Sequence, residues 1–75
     1  MIEILTPRQQ EIVACLELGM TNDEIADELH VARSTVKAHL SAVFERLGVS
    51  NRTEAAVAAL RLKERGRERR PGPLA

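Results

Sequence analysis

The sequence predicts an all-α fold, a compact domain of four helices. Three of the predicted helices open with the same signature, a threonine or asparagine followed three residues later by glutamine or glutamate. Isolated glycines stand where helices should end, and apolar residues recur at helical spacing between these start and stop signals. A chain of 75 residues makes one small domain with a modest core, so self-association would help to stabilise it.

The first two helices are defined by their boundaries. Thr6 and Gln9 form the first box, with proline at the first helical position, and this helix should end before Gly19. Thr21 and Glu24 form the second box. The residues expected to face the core are Ile12, Val13, Cys15 and Leu16 on the first helix, and Ile25, Ala26 and Leu29 on the second.

The third helix lacks the signature that opens the other three. It should begin near Arg33 and end before Gly48, and its expected cap, Ala32, has no side-chain acceptor. Alanine in place of a capping residue costs ~1 kcal/mol. Ser34 or Thr35 would supply a capping side chain in place of Ala32 only if the helix began later and were shorter. Its predicted buried stripe follows the i, i+4, i+7, i+11 pattern and consists of Val36, Leu40, Val43 and Leu47, with Phe44 beside it.

The fourth helix opens with Asn51 and Glu54 and should run to about Glu64. Residues 66–75, GRERRPGPLA, lack apolar periodicity and contain two prolines, so we expect a disordered basic tail after a domain at 1–65. Ala55, Ala59 and Leu62 form the stripe that should pack on the domain, which leaves Val57 and Leu60 pointing away from it.

The segment from Thr21 to Leu47 reads as a short helix, a turn of three or four residues and a longer helix. This is the shape of a helix-turn-helix, whose second helix enters the major groove of DNA. The predicted outer face of that helix is small and polar, as a surface that touches base edges needs to be. Its members are Ser34, Ala38, Ser41 and Glu45, with Lys37 on the flank.

The charge distribution favours a nucleic-acid partner although the net charge is zero. Residues 1–30 carry one arginine against seven acidic residues, a net charge of −6. Residues 31–75 carry ten lysines and arginines against four acidic residues, a net charge of +6. For DNA binding the local field matters more than the sum, and the sign changes where the second helix of the motif should begin.

Other classes of function find little support in the sequence. It has no apolar run long enough for a membrane span and no phosphate-cradling glycine loop, and its first ten residues do not resemble a signal peptide. Cys15, His30 and His39 lack the spacing of zinc ligands, and a single cysteine fits a reducing cytoplasm. One phenylalanine and no tryptophan or tyrosine leave no platform for stacking unpaired bases. We therefore expect no enzyme activity, no cofactor, no metal and no membrane association.

Several segments, taken together and in order, resemble the LuxR/GerE-type helix-turn-helix DNA-binding domain of bacterial transcription regulators, including response-regulator output domains. The similarity runs from about Leu5 to Leu62. The matching segments are 5–8 (LTPR), 19–26 (GMTNDEIA), 35–39 (TVKAH), 47–52 (LGVSNR) and 54–55 (EA), with Leu29 and Val31 between them. The chain departs from the family pattern at Gln9, where glutamate is usual, at Ala32, where a capping serine is common, and at Ser41, which is basic in some members.

The resemblance implies that the third helix binds double-stranded DNA and that the fourth supports a homodimer on inverted repeats. By position it assigns base or phosphate contacts to Ser34, Thr35, Lys37, Ala38 and Ser41, and charge and position add Arg33, Arg46 and Arg52. The expected dimer interface consists of Val57, Leu60 and Arg61. RNA polymerase is a further candidate partner of such a regulator.

An alternative of a different class stays open. The chain could be an interaction module that uses its fourth helix to sequester a related regulator in an inactive heterodimer. Zero net charge, a neutral Ser41 and the outward Val57 and Leu60 suit that role. The third helix, whose outer face fits a DNA groove and carries Lys37, argues against that role, because an antagonist does not need a DNA-binding helix. The chain is also compatible with either a self-standing regulator or the output part of a longer one.

Overall fold

All four predicted helices are present in the computed structural model, which describes residues 4–68 and side chains through Glu64. Helix α1 spans Pro7–Glu17, α2 spans Asn22–Leu29, α3 spans Arg33–Leu47 and α4 spans Arg52–Glu68. No strand occurs between residues 4 and 68. Three residues separate α2 from α3, so the all-α fold and the helix-turn-helix connection are confirmed.

The predicted capping boxes open α1 and α2. The Thr6 hydroxyl accepts a hydrogen bond from the Gln9 amide at 3.2 Å, and the Gln9 side chain accepts one from the Thr6 amide at 3.0 Å. Thr21 and Glu24 make the same reciprocal pair at 3.2 and 2.8 Å. Glutamine at position 9 therefore preserves the box without the charge of glutamate.

The third box, before α4, has a modified form. The Asn51 side chain accepts from the Glu54 amide at 2.9 Å, as predicted. The Glu54 carboxylate, however, accepts from the amide of Ser50 at 2.8 Å and not from that of Asn51. The amide of Ser50, which precedes the helix, thereby has a hydrogen-bond acceptor. The helix still begins directly after Asn51.

Helices α1, α2 and α3 end in the same way. A residue in the left-handed conformation directly follows α2 and α3, and stands two residues after the end of α1: His30 with φ of 56°, Gly48 with φ of 69° and Gly19 with φ of 76°. In each case the amide of the next residue reaches back to a carbonyl in the last turn, which completes a Schellman motif. The bonds are Met20 to Cys15 at 3.1 Å, Val31 to Ala26 at 3.0 Å and Val49 to Phe44 at 3.0 Å. The predicted glycine stops and the position of His30 in the turn are confirmed.

The predicted absence of a side-chain cap at the start of α3 is also confirmed. Ala32 is the N-cap residue, and no side chain accepts a hydrogen bond from the first turn of the helix. Its φ and ψ of −73° and 155° nearly equal those of Thr6 and Thr21 at the other two N-caps. The backbone is therefore already arranged for a capping side chain that the sequence does not supply.

Replacing Ala32 by serine is expected to stabilise the domain by about 1 kcal/mol, because the hydroxyl can accept an amide hydrogen bond at the start of α3. Thermal unfolding should show a melting temperature higher by about 4–8 °C. Ala38→Ser makes the same change inside α3, where it should lower stability slightly. An unchanged or lower melting temperature for Ala32→Ser would mean that a serine at this position does not cap α3.

Helix α3 is central to the packing, because it contacts each of the other three helices, while α1 also packs against α4. The predicted core positions lie inside, with Leu29, Phe44, Leu47 and Leu62 partly buried against them. Burial raises the pKa of the Cys15 thiol above its ordinary value, and the Glu28 and Glu11 carboxylates add to the rise. A thiol that stays protonated packs as a small apolar side chain, in agreement with the role predicted for Cys15.

The predicted end of α4 was wrong. The helix continues to Glu68, four residues beyond Glu64, so residues 66–68 of the expected tail are helical. The sequence from Lys63 to Glu68 consists of good helix formers interrupted only by Gly66. One internal glycine costs about 1 kcal/mol, which is not enough to end a helix. The rest of the expected tail, residues 69–75, lies outside the described residues.

Candidate nucleic-acid interface

The exposed face of α3 has the composition that the sequence predicted. Ser34, Lys37, Ala38, Ser41 and Glu45 are all exposed, whereas Val36, Leu40 and Val43 on the opposite face are buried. The buried stripe holds α3 against the domain and so fixes which residues face outward. Over the first nine residues of α3 this exposed face carries no acidic residue, and its side chains other than Arg33 and Lys37 are short, so it can approach another surface closely.

Lys37 is the long basic side chain near the middle of this surface. Arg33, Lys37 and Ser41 follow one another at intervals of four residues, so they form a row along one side of the exposed face. Glu45 ends that row about 12 Å beyond Lys37, at 1.5 Å per residue. A basic contact is therefore available only in the N-terminal half of the row.

The N-terminus of α3 adds backbone donors. The amides of Thr35 and Val36 both bond to the carbonyl of Ala32, at 3.0 and 3.1 Å. The amides of Arg33 and Ser34 precede these bonds and have no side-chain cap from Ala32. Such amides, together with the positive end of the helix dipole, suit an anionic oxygen. At this end of α3, Ser34 is exposed and Thr35 is half-buried.

Arg33 is not free at this surface. Its Nε pairs with a carboxylate oxygen of Asp23, in the first turn of α2. The ion pair bridges the two helices across the turn, although both side chains are largely exposed to solvent. Charge and position predict a DNA contact for Arg33 and do not indicate its pairing with Asp23.

Arg52 does not join the exposed face of α3. Its half-buried guanidinium donates to the Met20 carbonyl at 2.7 Å and to the Asn22 side-chain oxygen. These bonds attach the start of α4 to Met20, in the connection between α1 and α2, and to Asn22, the first residue of α2. The structure therefore gives Arg52 a role in holding the helices together, which neither its charge nor its position indicated.

Arg52→Ala is expected to lower the free energy of unfolding by about 1–2 kcal/mol, since it removes two hydrogen bonds from a charged donor that is only partly buried. Thermal unfolding should show the loss. Arg52→Lys should recover part of it, because an ammonium group keeps the charge but lacks the planar fork that reaches two acceptors. A variant with unchanged stability and weakened DNA binding would restore the phosphate contact predicted for Arg52.

Arg46 also lies apart from the N-terminal end of α3, at about 20 Å along the helix from Arg33. It is exposed, and with Arg61 it borders a shallow pocket of about 310 Å³ beside α4. The other lining residues are Ile4, Leu47, Ala58 and Leu62. The structure thus brings Arg46 near the helix predicted to dimerise, while the row of Arg33, Lys37 and Ser41 lies towards the other end of α3.

The outward face of α4 is as predicted. Val57 is 44% exposed and Leu60 is 52% exposed, whereas Ala55 and Ala59 are fully buried. Arg61 is also exposed and adjoins Val57 in a second groove, bordered by Gly48 and Val49. The three residues predicted to form a dimer interface therefore share one accessible side of α4.

The family profile described as bacterial regulatory proteins, luxR family, matches residues 3–59 of the chain. The chain belongs to the LuxR family. The match extends from before α1 into α4, and so includes the helix-turn-helix and the exposed face of α3. The resemblance noted from the sequence is confirmed, and with it the function of a LuxR-type DNA-binding domain of transcription regulators.

Curated relatives agree with this assignment. The transcriptional regulatory protein ComA of Bacillus subtilis is 42% identical over 57 residues, which are 76% of this chain and 27% of ComA. The putative HTH-type transcriptional regulator YhjB of Escherichia coli is 45% identical over 56 residues, 75% of this chain and 28% of YhjB. MalT of Yersinia pestis is 41% identical over 58 residues, 77% of this chain and 6% of MalT. The chain thus spans about a quarter or less of the length of these regulators.

A solved structure supports the fold directly. The DNA-binding domain of the response regulator ComA, in complex with the anti-activator RapF, superposes with a TM-score of 0.72 at 44% sequence identity. The alignment covers 73% of this chain and 95% of that domain. No helix among residues 4–68 is both long enough and apolar enough to cross a membrane.

Proposed function

We propose that this chain binds double-stranded DNA with the N-terminal half of α3 in the major groove. The observation that carries the proposal is the exposed, small and polar face of α3 with Lys37 in its basic row, within a LuxR-type helix-turn-helix. A helix with this face can enter the groove without steric or electrostatic conflict over its first nine residues. Glu45 disfavours an equally close approach at the other end, because a carboxylate repels phosphates.

The proposed contacts divide into base readout and phosphate positioning. Lys37 supplies the main base contact, and Ala38 permits close approach and apolar contact with a thymine methyl group. Ser34, Thr35 and the uncapped amides hold a phosphate at the helix start. Ser41 makes a shorter and less salt-dependent contact than a basic residue would. Ser41→Arg therefore offers a way to add a contact without disturbing the core.

The arginines have unequal parts in the proposal. Arg33 is a phosphate contact that Asp23 restrains, and Arg46 stays a predicted phosphate contact at the far end of α3. We propose for Arg52 a role in the packing of α4 against Met20 and Asn22 in place of the predicted phosphate contact, because its guanidinium already donates to both of these residues.

We further propose that two copies bind an inverted repeat through α4. Val57, Leu60 and Arg61 form the interface, and the buried alanines on the inner side let α4 lie close to the domain while its outer side meets the second copy. A C2 dimer of this kind matches the two-fold symmetry of a palindromic site. Action on chromosomal DNA implies a cytoplasmic location without membrane association, and RNA polymerase is the further partner implied by a role in transcription.

The alternative, sequestration of a related regulator through α4, draws support from the same exposed Val57 and Leu60. The ComA DNA-binding domain, which is similar to this chain, also has a protein partner in its complex with RapF. The two proposals differ in what they require of α3. DNA binding needs its exposed face, whereas sequestration through α4 does not.

Fluorescence anisotropy with a labelled random-sequence duplex at several salt concentrations tests the proposed function. Binding should weaken as salt rises, with a slope of about −0.9 per phosphate contact, and a single-stranded oligonucleotide should bind less tightly. Folded protein that binds no duplex at low salt would favour the sequestering role. Circular dichroism under the same conditions establishes that the protein is folded.

A further inference from the structure

The ion pair between Asp23 and Arg33 lies at the border of the proposed DNA interface. Asp23 is in the first turn of α2, and Arg33 is the first residue of α3. The carboxylate contacts Nε of the guanidinium across the turn. Both side chains are exposed, Arg33 by 73% and Asp23 by 60%, so DNA phosphates can compete for the same guanidinium.

The carboxylate neutralises the arginine where a phosphate would otherwise bind it. An exposed ion pair is worth between 0 and about 1 kcal/mol, so competition from Asp23 can lower the affinity of Arg33 for a phosphate by up to about fivefold. The exposed side of α2 adds to the negative field, since Glu24, Asp27 and Glu28 are also exposed. Only Asp23 among these four is paired with an arginine in the described part of the chain.

We propose that Asp23 sequesters Arg33 and thereby lowers the sequence-independent part of DNA affinity. This inference rests on the proposed function, because it takes the N-terminus of α3 to lie at the phosphate backbone. Non-specific binding depends almost entirely on phosphate contacts, so withholding one arginine weakens binding to random DNA directly. Base contacts through Lys37 and its neighbours then carry a larger share of the total affinity.

A double-mutant cycle on a random-sequence duplex tests the proposal. The four proteins are the wild type, Asp23→Asn, Arg33→Ala and the double variant, each measured by fluorescence anisotropy over a range of salt. Asp27→Asn is the matched control, because it removes the same charge from the same helix one turn later. Asparagine and serine both keep a polar residue in the first turn of α2. Asp23→Ser is therefore a second variant that removes the carboxylate without removing polarity.

Asp23→Asn should raise affinity about two- to fivefold at about 0.1 M salt, the range that loss of an exposed ion pair allows. The salt slope should become steeper, by at most about 0.9, the effect of one added phosphate contact. Arg33→Ala alone should change affinity less than twofold, because its charge is already neutralised in the free protein. In the Arg33→Ala background, Asp23→Asn should gain no more than Asp27→Asn does in the wild type.

Equal gains from Asp23→Asn with and without Arg33 would overturn the proposal, since simple repulsion of phosphates by Asp23 would then explain the effect. A loss of affinity in Asp23→Asn would also overturn it, because Asp23 would then be orienting Arg33 for contact. Wild-type binding with no gain in Asp23→Asn defeats this inference alone. Folded wild-type protein that binds no duplex defeats the proposed function as well.

Discussion

Lys37→Ala is expected to weaken binding to the preferred DNA sequence by about 1–3 kcal/mol, a loss of roughly 5-fold to 150-fold in affinity. The lysine is exposed in the N-terminal half of α3, in a row with Arg33 and Ser41. Because its side chain lies outside the core, the substitution should leave the melting temperature nearly unchanged. Anisotropy titrations on the preferred duplex and on a random duplex, with thermal unfolding of the same samples, measure both quantities.

The two duplexes separate the roles that Lys37 could have. A larger loss on the preferred sequence means that Lys37 reads a base, whereas the same loss on both, with a shallower salt slope, means that it touches only phosphate. Lys63→Ala is the matched control, since it removes a lysine that pairs with Glu17 on α1 at 2.9 Å and lies far along α4. Unchanged affinity in Lys37→Ala would contradict the proposed orientation of α3.

Leu60→Asp is expected to weaken binding to a duplex with two half-sites at least tenfold, while binding to a single half-site stays the same. At the centre of a two-fold interface, the carboxylate of one copy would face the same carboxylate of the other copy. The substitution therefore adds repulsion and removes apolar contact. Leu60 is 52% exposed, and its loss should not unfold the monomer. Anisotropy on both duplexes and thermal unfolding give the comparison.

Leu18→Asp provides the matched control for Leu60→Asp. Leu18 is 78% exposed at the end of α1, so the control replaces an accessible leucine by aspartate on a surface outside the proposed interface. Binding to the paired site should survive this change. Undiminished binding of Leu60→Asp to the paired site would remove α4 from the dimer, and comparable losses for both variants would point to charge alone.

Local chemistry explains why so much of the fold was predictable. The capping boxes at Thr6 and Thr21 and the left-handed ends at Gly19 and Gly48 depend on residues within a few positions of one another. The buried stripe of α3 likewise follows from the spacing of its apolar residues alone. Consequently the predictions from local sequence were correct. They concern the helix starts, the turn at His30, the uncapped Ala32 and the exposed sides of α3 and α4.

Contacts between distant positions were not predictable in the same way. Arg52 reaches Met20 and Asn22, 32 and 30 positions earlier, and nothing in their local sequence indicates this pairing. Charge and position made Arg52 and Arg33 look alike, but one supports the packing of α4 and the other pairs with Asp23 at the surface. An arginine's role depends on which acceptors the fold brings near it, and these acceptors are known only once the helices are packed.

The predicted end of α4 was wrong for a different reason. Its last residues lie beyond the apolar stripe that ends at Leu62, so the periodicity that marks a packed helix stops before the helix does. Intrinsic propensity then determines how far the helix extends, and a single glycine is a weak stop signal. The apolar periodicity therefore predicted the part of α4 that packs on the domain, but not the further residues that the helix includes.

The central claim is that α3 reads a DNA sequence and that two copies do so together. Selection from a random duplex pool, followed by sequencing of the bound fraction, tests it most directly. The expected result is an enriched inverted repeat, with half-sites about one helical turn apart and loss of enrichment in Lys37→Ala. Folded protein that binds the pool without enriching any sequence would contradict specific readout, and enrichment of a single unrepeated half-site would contradict the dimer through α4.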